Sequence, residues 1–231
     1  MRINKYLAKC GIGSRRKCDE YISTGKIKVD GKKVTDFSFD VKDDSYVQFN
    51  NKLVNKLENV IYMLNKPRGY ICTKNDNLGR KTIYDLLPDK LDLFSVGRLD
   101  YDTTGILLVT NDGDLCYKLT HPKFNVDKKY YVFTDKKLSN SDILSIKKGI
   151  KIDNEILKAN VKFLENINNG YFWDVVLTEG KNREIKRIFN FFDIKVLNLH
   201  RYEFSGLRMN ELKEGKFRKI SKKDFNRIIR K

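Results

Sequence analysis

The segment GRLDYDTTGILLVTNDG, residues 97–113, passes from an acidic loop directly into a short aliphatic run. Residues 105–110 predict a buried β-strand, because an apolar run of this length is bounded by turn-forming residues on both sides. Asn111 or Asp112 can then cap a helix, since both side chains accept hydrogen bonds from free backbone amides. The segment therefore predicts a loop, a strand and a helix in succession.

Strand and helix patterns alternate irregularly outside this segment. The sequence predicts strands at 60–67, 129–133, 156–164, 171–178 and 195–204, and helices at 82–87, 139–148, 183–192 and after Ser221. The strands at 156–164 and 171–178 are joined by Asn168-Asn169-Gly170, a turn sequence typical of a β-hairpin. Such hairpins favour an α+β fold with a mixed, largely antiparallel sheet over a doubly wound fold.

Residues 1–50 form a separate unit in which two short helices precede a β-hairpin. Apolar residues among the first ten keep helical spacing, and Ser14 can cap a second helix. Residues 26–34 alternate about Asp30-Gly31, which predicts the turn of a hairpin. We therefore predict a small domain at 1–50, a linker at 51–59 and a larger domain at 60–231.

The chain is strongly basic, because 47 Lys and Arg against 30 Asp and Glu give a net charge of +17 in 231 residues. The cations are spread over the whole length, which indicates a folded protein with a polyanionic partner, although a lysine-rich proteome would give the same excess. A cluster near the N-terminus favours a phosphate-binding surface over a merely solvated face. It consists of Arg15, Arg16, Lys17, Lys26, Lys28, Lys32 and Lys33.

Other classes of protein are disfavoured by composition. Four cysteines without a CxxC pair, and two histidines, indicate neither a zinc site nor a disulfide framework, and they fit a reducing cytoplasm. No run approaches the roughly 18 apolar residues that span a bilayer, so we predict a cytoplasmic protein without a membrane partner. The phosphate-binding pattern GxxxxGKS/T is absent from the sequence.

Three roles compete for Asp100 and Asp102: metal ligands, turn residues or a catalytic carboxylate. The spacing Asp-x-Asp-x-Thr-Gly at 100–105 matches the first positions of a calcium loop, but Asn111 replaces the glutamate that closes such a loop. The residues that follow are strand-like rather than helical, so no metal site is predicted. A tight turn and a carboxylate nucleophile both remain open from the residues alone.

Four motifs, in order between residues 63 and 189, resemble the RsuA/RluB/RluE/RluF family of ribosomal RNA pseudouridine synthases. They are MLNKPRGYICT at 63–73, VGRLDYDTTGILLVTNDGDL at 96–115, HPKFNVDKKYYV at 121–132 and LTEGKNREIKRIF at 177–189. The N-terminal segment KCGIGSRRKCDEYISTGKIKVDGKKV is similar to the S4 RNA-binding domain that precedes the catalytic domain in this family. The resemblance implies an isomerase that converts a uridine of ribosomal RNA to pseudouridine without a metal or another cofactor.

The resemblance also assigns roles to the acidic loop. Matching the GRLD motif makes Asp100 the catalytic carboxylate, while Asp102 is a residue of the turn. Lys186 matches the basic position that pairs with this aspartate, where many members have arginine. Because lysine offers a point charge rather than a planar fork, Arg183 or Arg187 is expected to help orient Asp100.

The uridine pocket follows from the same matching. Tyr130 corresponds to the tyrosine that stacks on the target base, Leu199 to an apolar wall, and Arg98 to the arginine that fills the space of the flipped uridine. The residues predicted to bind RNA are Arg2, Lys5, Arg15, Arg16, Lys17, Lys26, Lys66, Arg183 and Arg187.

The partner predicted from the resemblance is ribosomal RNA, bound by a monomer. The GSRRK and DYDTTG sequences favour 23S rRNA as the substrate. Lys186 and the overall length favour the alternative, an enzyme acting on 16S rRNA. A second alternative is a protein that binds rRNA in ribosome assembly but has lost catalytic activity.

Overall fold

The computed structural model describes residues 1–88 and 92–229. Their contacts divide the chain into two compact units. The first comprises residues 1–60 with residues 92–93, and the second comprises residues 61–88 and 94–229. Within the described residues, every helix is too short or too polar to cross a membrane.

The first unit contains two helices followed by four short strands. They are α1 (Ile3–Lys9), α2 (Arg15–Ser23), β1 (Ile27–Val29), β2 (Lys32–Val34), β3 (Val47–Phe49) and β4 (Lys52–Leu53). The strands pair in the order β2-β1-β3-β4, and all three pairs are antiparallel. The Ser14 side chain accepts a hydrogen bond from the Lys17 amide at 3.3 Å, as a helix cap does. β4 lies within the segment predicted as a linker.

The turn between β1 and β2 depends on backbone that most residues avoid. Asp30 and Gly31 have φ angles of 49° and 79°, which suits the paired left-handed conformation of a tight hairpin turn. Apolar side chains from both helices and from β1 to β3 pack beneath this hairpin. The buried members include Ile3, Leu7, Cys18, Ile22, Ile27, Val29, Val34 and Val47. This small core leaves the cations of α2 and the hairpin on the surface.

The second unit begins at β5 and continues to the last described residue. Its elements are β5 (Ile61–Lys66), β6 (Phe94–Ser95), β7 (Thr104–Thr110), α3 (Gly113–Thr120), β8 (Lys128–Thr134), α4 (Asn140–Lys148), β9 (Ile150–Ile152), β10 (Glu155–Leu157), β11 (Asn160–Ile167), β12 (Gly170–Leu177), α5 (Glu184–Asn190), β13 (Val196–Phe204), β14 (Leu207–Arg208), β15 (Phe217–Lys219) and α6 (Lys222–Ile229). Two short 3-10 turns lie at Ile83–Leu86 and Pro122–Phe124.

Within residues 61–88 and 94–229, nine strands form one large sheet. Its main order is β11-β12-β8-β13-β7-β5-β15, with β14 beside β13 and β6 beside β7. β7 and β13 run parallel, whereas the other pairs are antiparallel. The predicted α+β class with a mixed, largely antiparallel sheet is confirmed.

Two predicted elements differ from the observed ones. The predicted strand at 156–164 is divided between β10 and β11, and β10 pairs with β9 outside the large sheet. The predicted helix at 82–87 is a single 3-10 turn. The predicted hairpin of β11 and β12 is present, and Asn168 and Asn169 adopt φ angles of 44° and 62° at its turn.

Gly105 allows the strand after the acidic loop to pair closely with β13. Its φ angle is +109°, and a Cβ atom at this position would lie 2.3 Å from the backbone oxygen of Arg201. Gly105 and Arg201 are register partners in the parallel pair of β7 and β13. Ile106 to Val109 are fully buried, so β7 fixes the acidic loop at the edge of a rigid core.

Candidate active site

The acidic loop, which carries Asp100 and Asp102 and precedes β7, lines one side of a cavity of about 170 Å³ in the second unit. The loop before β7, strands β8 and β13, and the start of α5 all contribute to its lining. Six residues that the sequence assigns to the site are brought together there, although they are spread over 102 positions from 98 to 199. They are Arg98, Asp100, Tyr130, Arg183, Lys186 and Leu199.

Lys66, at the end of β5, holds the acidic loop from behind. Its ammonium group donates hydrogen bonds to the carbonyl oxygens of Pro67 at 3.0 Å, Asp100 at 3.1 Å and Thr103 at 2.8 Å. The side chain is fully buried, and burial lowers the pKa of Lys66 to about 8. Lys66 is one of the residues predicted to bind RNA, and in this structure its ammonium group is enclosed by these backbone carbonyls.

The carboxylate of Asp100 faces two cations at the wall of the cavity. Its Oδ2 lies 3.4 Å from Lys186 Nζ and 3.9 Å from Arg183 Nη1. Arg187 instead pairs with Glu155 at 2.6 Å and Asp153 at 3.5 Å. Of the two arginines expected to help orient Asp100, the structure therefore places only Arg183 beside it.

Lys186 contacts both acids of the loop, which the sequence did not indicate. Its ammonium group also donates a hydrogen bond to Asp102 Oδ1. Partial burial raises the pKa of Asp102, but the hydrogen bond and charge of Lys186 outweigh it and hold the pKa below its ordinary value. Asp102 is therefore a turn residue that also forms an ion pair with Lys186, as Asp100 does.

Tyr130 and Leu199 come from neighbouring strands and line the same cavity. Both are buried, with 7% and 6% of their surface exposed. Behind them, Arg201 donates from Nε to the Ile106 carbonyl at 2.8 Å and from Nη1 to the Tyr130 hydroxyl at 3.5 Å. Its guanidinium lies 4.8 Å from the ring centroid of Phe204 and 6.0 Å from that of Tyr130, so Arg201 packs against both aromatic rings.

Lys128 is a second buried cation that sequence reasoning missed. Its Nζ donates to the carbonyls of Val126 at 2.9 Å and Thr178 at 3.2 Å. Burial, together with the charge of Arg201, lowers its pKa to about 8. The strand pattern could have indicated this burial. Lys128, Tyr130 and Val132 occupy every second position of β8 and therefore share its inward face.

Other titratable groups near the cavity have structural contacts. Glu184 is buried, accepts the Lys181 amide at 2.9 Å, and has a pKa raised by burial. His200 Nδ1 lies 2.8 Å from Thr104 Oγ1, between β13 and β7. In residues 1–88 and 92–229, histidines, cysteines and acids form no group of three or more that could hold a metal ion.

The cations predicted to bind RNA in the first unit are largely on its surface. Arg2, Arg15, Arg16, Lys17 and Lys26 are exposed, and Lys5 is partly exposed. Lys17 and Lys26 flank the ring of Tyr21, with Nζ atoms 5.4 and 5.2 Å from its centroid. The unit therefore presents a basic and aromatic surface of the kind that binds nucleic acid backbones.

Comparisons with known proteins match both units. A family model described as RNA pseudouridylate synthase matches residues 60–191, and one described as S4 domain matches residues 1–45. The chain is 34% identical to a Bacillus subtilis protein named ribosomal large subunit pseudouridine synthase B, over 98% of this chain and 95% of the relative. It is 33% identical to an uncharacterized RNA pseudouridine synthase of Aquifex aeolicus, over 100% and 97% of the two chains. A solved structure described as a pseudouridylate synthase aligns with a TM-score of 0.72 and 27% identity, covering 99% of this chain and 100% of that one.

Proposed function

Because the chain belongs to the family of RNA pseudouridylate synthases, we propose that it converts one uridine of 23S rRNA to pseudouridine with Asp100 as the catalytic carboxylate. The observation that carries this proposal is the Asp100 carboxylate, held 3.4 Å from Lys186 Nζ at the wall of the cavity. The name of the Bacillus subtilis relative, which specifies the large ribosomal subunit, supports 23S rRNA as the substrate.

The proposed reaction rearranges one nucleotide without an external reagent. The bond between N1 of the uracil and C1′ of the ribose breaks, the base turns, and a bond forms between C5 and C1′. A proton leaves C5 and another is gained at N1, so neither an oxidant nor a cofactor is required. Asp100 is the carboxylate that takes part in these reaction steps, and Lys186 and Arg183 orient it through charge attraction.

Tyr130 and Leu199 hold the uracil in the proposal, because both side chains line the cavity beside Asp100. A base stacked in RNA must be flipped out of its helix to reach such a cavity. Arg98 is exposed at the same cavity, where a guanidinium can stack on the neighbouring bases or neutralise a phosphate. We therefore assign Arg98 to the space that the flipped uridine leaves.

The first unit supplies further RNA contacts in this proposal. Its exposed arginines and lysines are suited to phosphate groups, and it matches the S4 domain over residues 1–45. Every residue assigned to the cavity comes from the second unit of a single chain. We therefore propose that the enzyme acts as a monomer, which light scattering of the free protein and of its RNA complex would test.

The experiment that tests this function maps pseudouridines in 23S and 16S rRNA from cells with and without the gene. The proposal expects one 23S position to lose pseudouridine and to regain it when the wild-type gene is restored. Loss at a 16S position would establish the small-subunit alternative instead. Unchanged pseudouridine at every position of both RNAs would refute an rRNA substrate.

A further inference from the structure

The ammonium group of Lys186 lies between two carboxylates of the acidic loop. It donates a hydrogen bond to Asp102 Oδ1, while Asp100 Oδ2 is 3.4 Å away. The Lys186 side chain is only 11% exposed, compared with 30% for Asp100 and 51% for Asp102. Of its two contacts, Lys186 makes the closer one with Asp102, the acid that has no assigned role in the reaction.

A lysine needs such a second contact more than an arginine would. Its ammonium is a point charge on a flexible four-carbon stem, whereas a guanidinium fork can grip one carboxylate with two parallel hydrogen bonds. Arg183 does not replace this contact, because it lies 3.9 Å from Asp100 and its side chain is 54% exposed. A single contact at 3.4 Å would leave Lys186 free to sample other rotamers.

The loop that carries both acids is itself held in place. The Thr103 amide donates to the Asp100 carbonyl at 3.1 Å, and Lys66 Nζ donates to the carbonyls of Asp100 and Thr103. The separation between the two acids is thus set by a tethered turn. Lys186 also keeps the pKa of Asp102 low, so Asp102 is an anion at neutral pH.

We propose that Asp102 is a positioning residue, which anchors the Lys186 ammonium group so that it stands against the carboxylate of Asp100. This inference rests on the proposed function, in which Asp100 is the catalytic carboxylate. It assigns to Asp102 a contribution to turnover rather than to RNA affinity. Asp102 itself makes no contact with the reacting atoms and acts only through Lys186.

The test is a double-mutant cycle between positions 102 and 186, with kcat and RNA affinity measured separately. In the wild-type background, Asp102→Asn should lower kcat by about ten- to hundredfold, because a misplaced charge at a reacting centre costs that much. RNA affinity should be unchanged or slightly tighter, since one negative charge is removed. In the Lys186→Arg background, the same substitution should cost less than about threefold, because the fork engages Asp100 alone.

A second variant keeps the inference testable even if Lys186→Arg is itself inactive. Asp102→Glu retains a carboxylate within reach of Lys186 and should recover most of the activity that Asp102→Asn loses. Asp43→Asn removes the same charge from a fully exposed site in the first unit and serves as the matched control. Fluorescence of Trp173, which is buried in the second unit, verifies that each variant is folded.

The inference is overturned if Asp102→Asn leaves kcat unchanged or raises it. It is also overturned if the loss is equal in the lysine and arginine backgrounds, or if Asp102→Glu is as impaired as Asp102→Asn. Asp100→Asn is assayed in parallel to separate this result from the proposed function. An inactive Asp100→Asn beside a fully active Asp102→Asn would remove only the role of Asp102, whereas an active Asp100→Asn would remove the proposed mechanism.

Discussion

Substitution of the buried Lys66 by methionine should change how the stability of the second unit depends on pH. Burial lowers the pKa of Lys66 from 10.5 to about 8 in the folded protein, so between these values the unfolded chain binds more protons than the folded one. The free energy of unfolding therefore rises with pH across this interval. At about 1.36 kcal/mol per pH unit, the wild-type protein should gain roughly 2 to 3 kcal/mol from this residue between pH 7 and pH 10.

The assay is urea unfolding at a series of pH values, followed by the fluorescence of the one tryptophan in the sequence. Trp173 is fully buried, so its signal reports on the second unit. The free energy of unfolding of the wild type minus that of Lys66→Met should increase by roughly 2 to 3 kcal/mol from pH 7 to pH 10. Lys128 has a similarly lowered pKa, but it is present in both proteins and its effect cancels.

A variant that removes an exposed lysine of α4, Lys147→Met, controls for the loss of a positive charge. If the free energy of unfolding of the wild type minus that of Lys66→Met stays constant or decreases with rising pH, the reasoning is refuted. It would mean that the ammonium group of Lys66 is not desolvated behind the acidic loop.

Two further predictions concern the backbone of the site and the basic surface of the first unit. Gly105→Ala should destabilise the second unit by several kcal/mol, because its Cβ would lie 2.3 Å from the Arg201 backbone oxygen; Gly113→Ala, with nothing within 4 Å, should be nearly neutral in the same urea titration. Replacing three exposed cations, Arg15, Arg16 and Lys26, by alanine should reduce the slope of log K for RNA binding against log salt concentration by about 2. An unchanged slope would exclude this surface from RNA binding.

The sequence predicted the elements whose signals are local. Residues 105–110 indicated a buried strand, and β7 occupies Thr104–Thr110. Asp112, one of two possible caps, accepts the amides of Asp114 and Leu115 at 3.0 and 3.2 Å. The resemblance carried by the four motifs is confirmed by the family matches. These features succeed because turn chemistry and hydrophobic runs act over a few neighbouring residues.

The features that could not be predicted depend on partners distant in sequence. Strands of two or three residues, such as β6 and β14, are strands only because a longer neighbour pairs with them. Arg201 breaks the rule that charges lie outside, and the Ile106 carbonyl that accepts its hydrogen bond lies 95 positions away in the sequence. The contact of Lys186 with Asp102 spans 84 positions, which no local pattern reports.

The central claim, that Asp100 is the catalytic carboxylate, is tested most directly by release of tritium from rRNA labelled at C5 of uridine. We expect Asp100→Asn to lower the rate of release by at least about a thousandfold, with RNA affinity within about threefold of wild type. Asp43→Asn should behave as the wild-type enzyme does. Release by Asp100→Asn within tenfold of the wild-type rate would contradict the account, because the isomerisation would then proceed without the carboxylate at position 100.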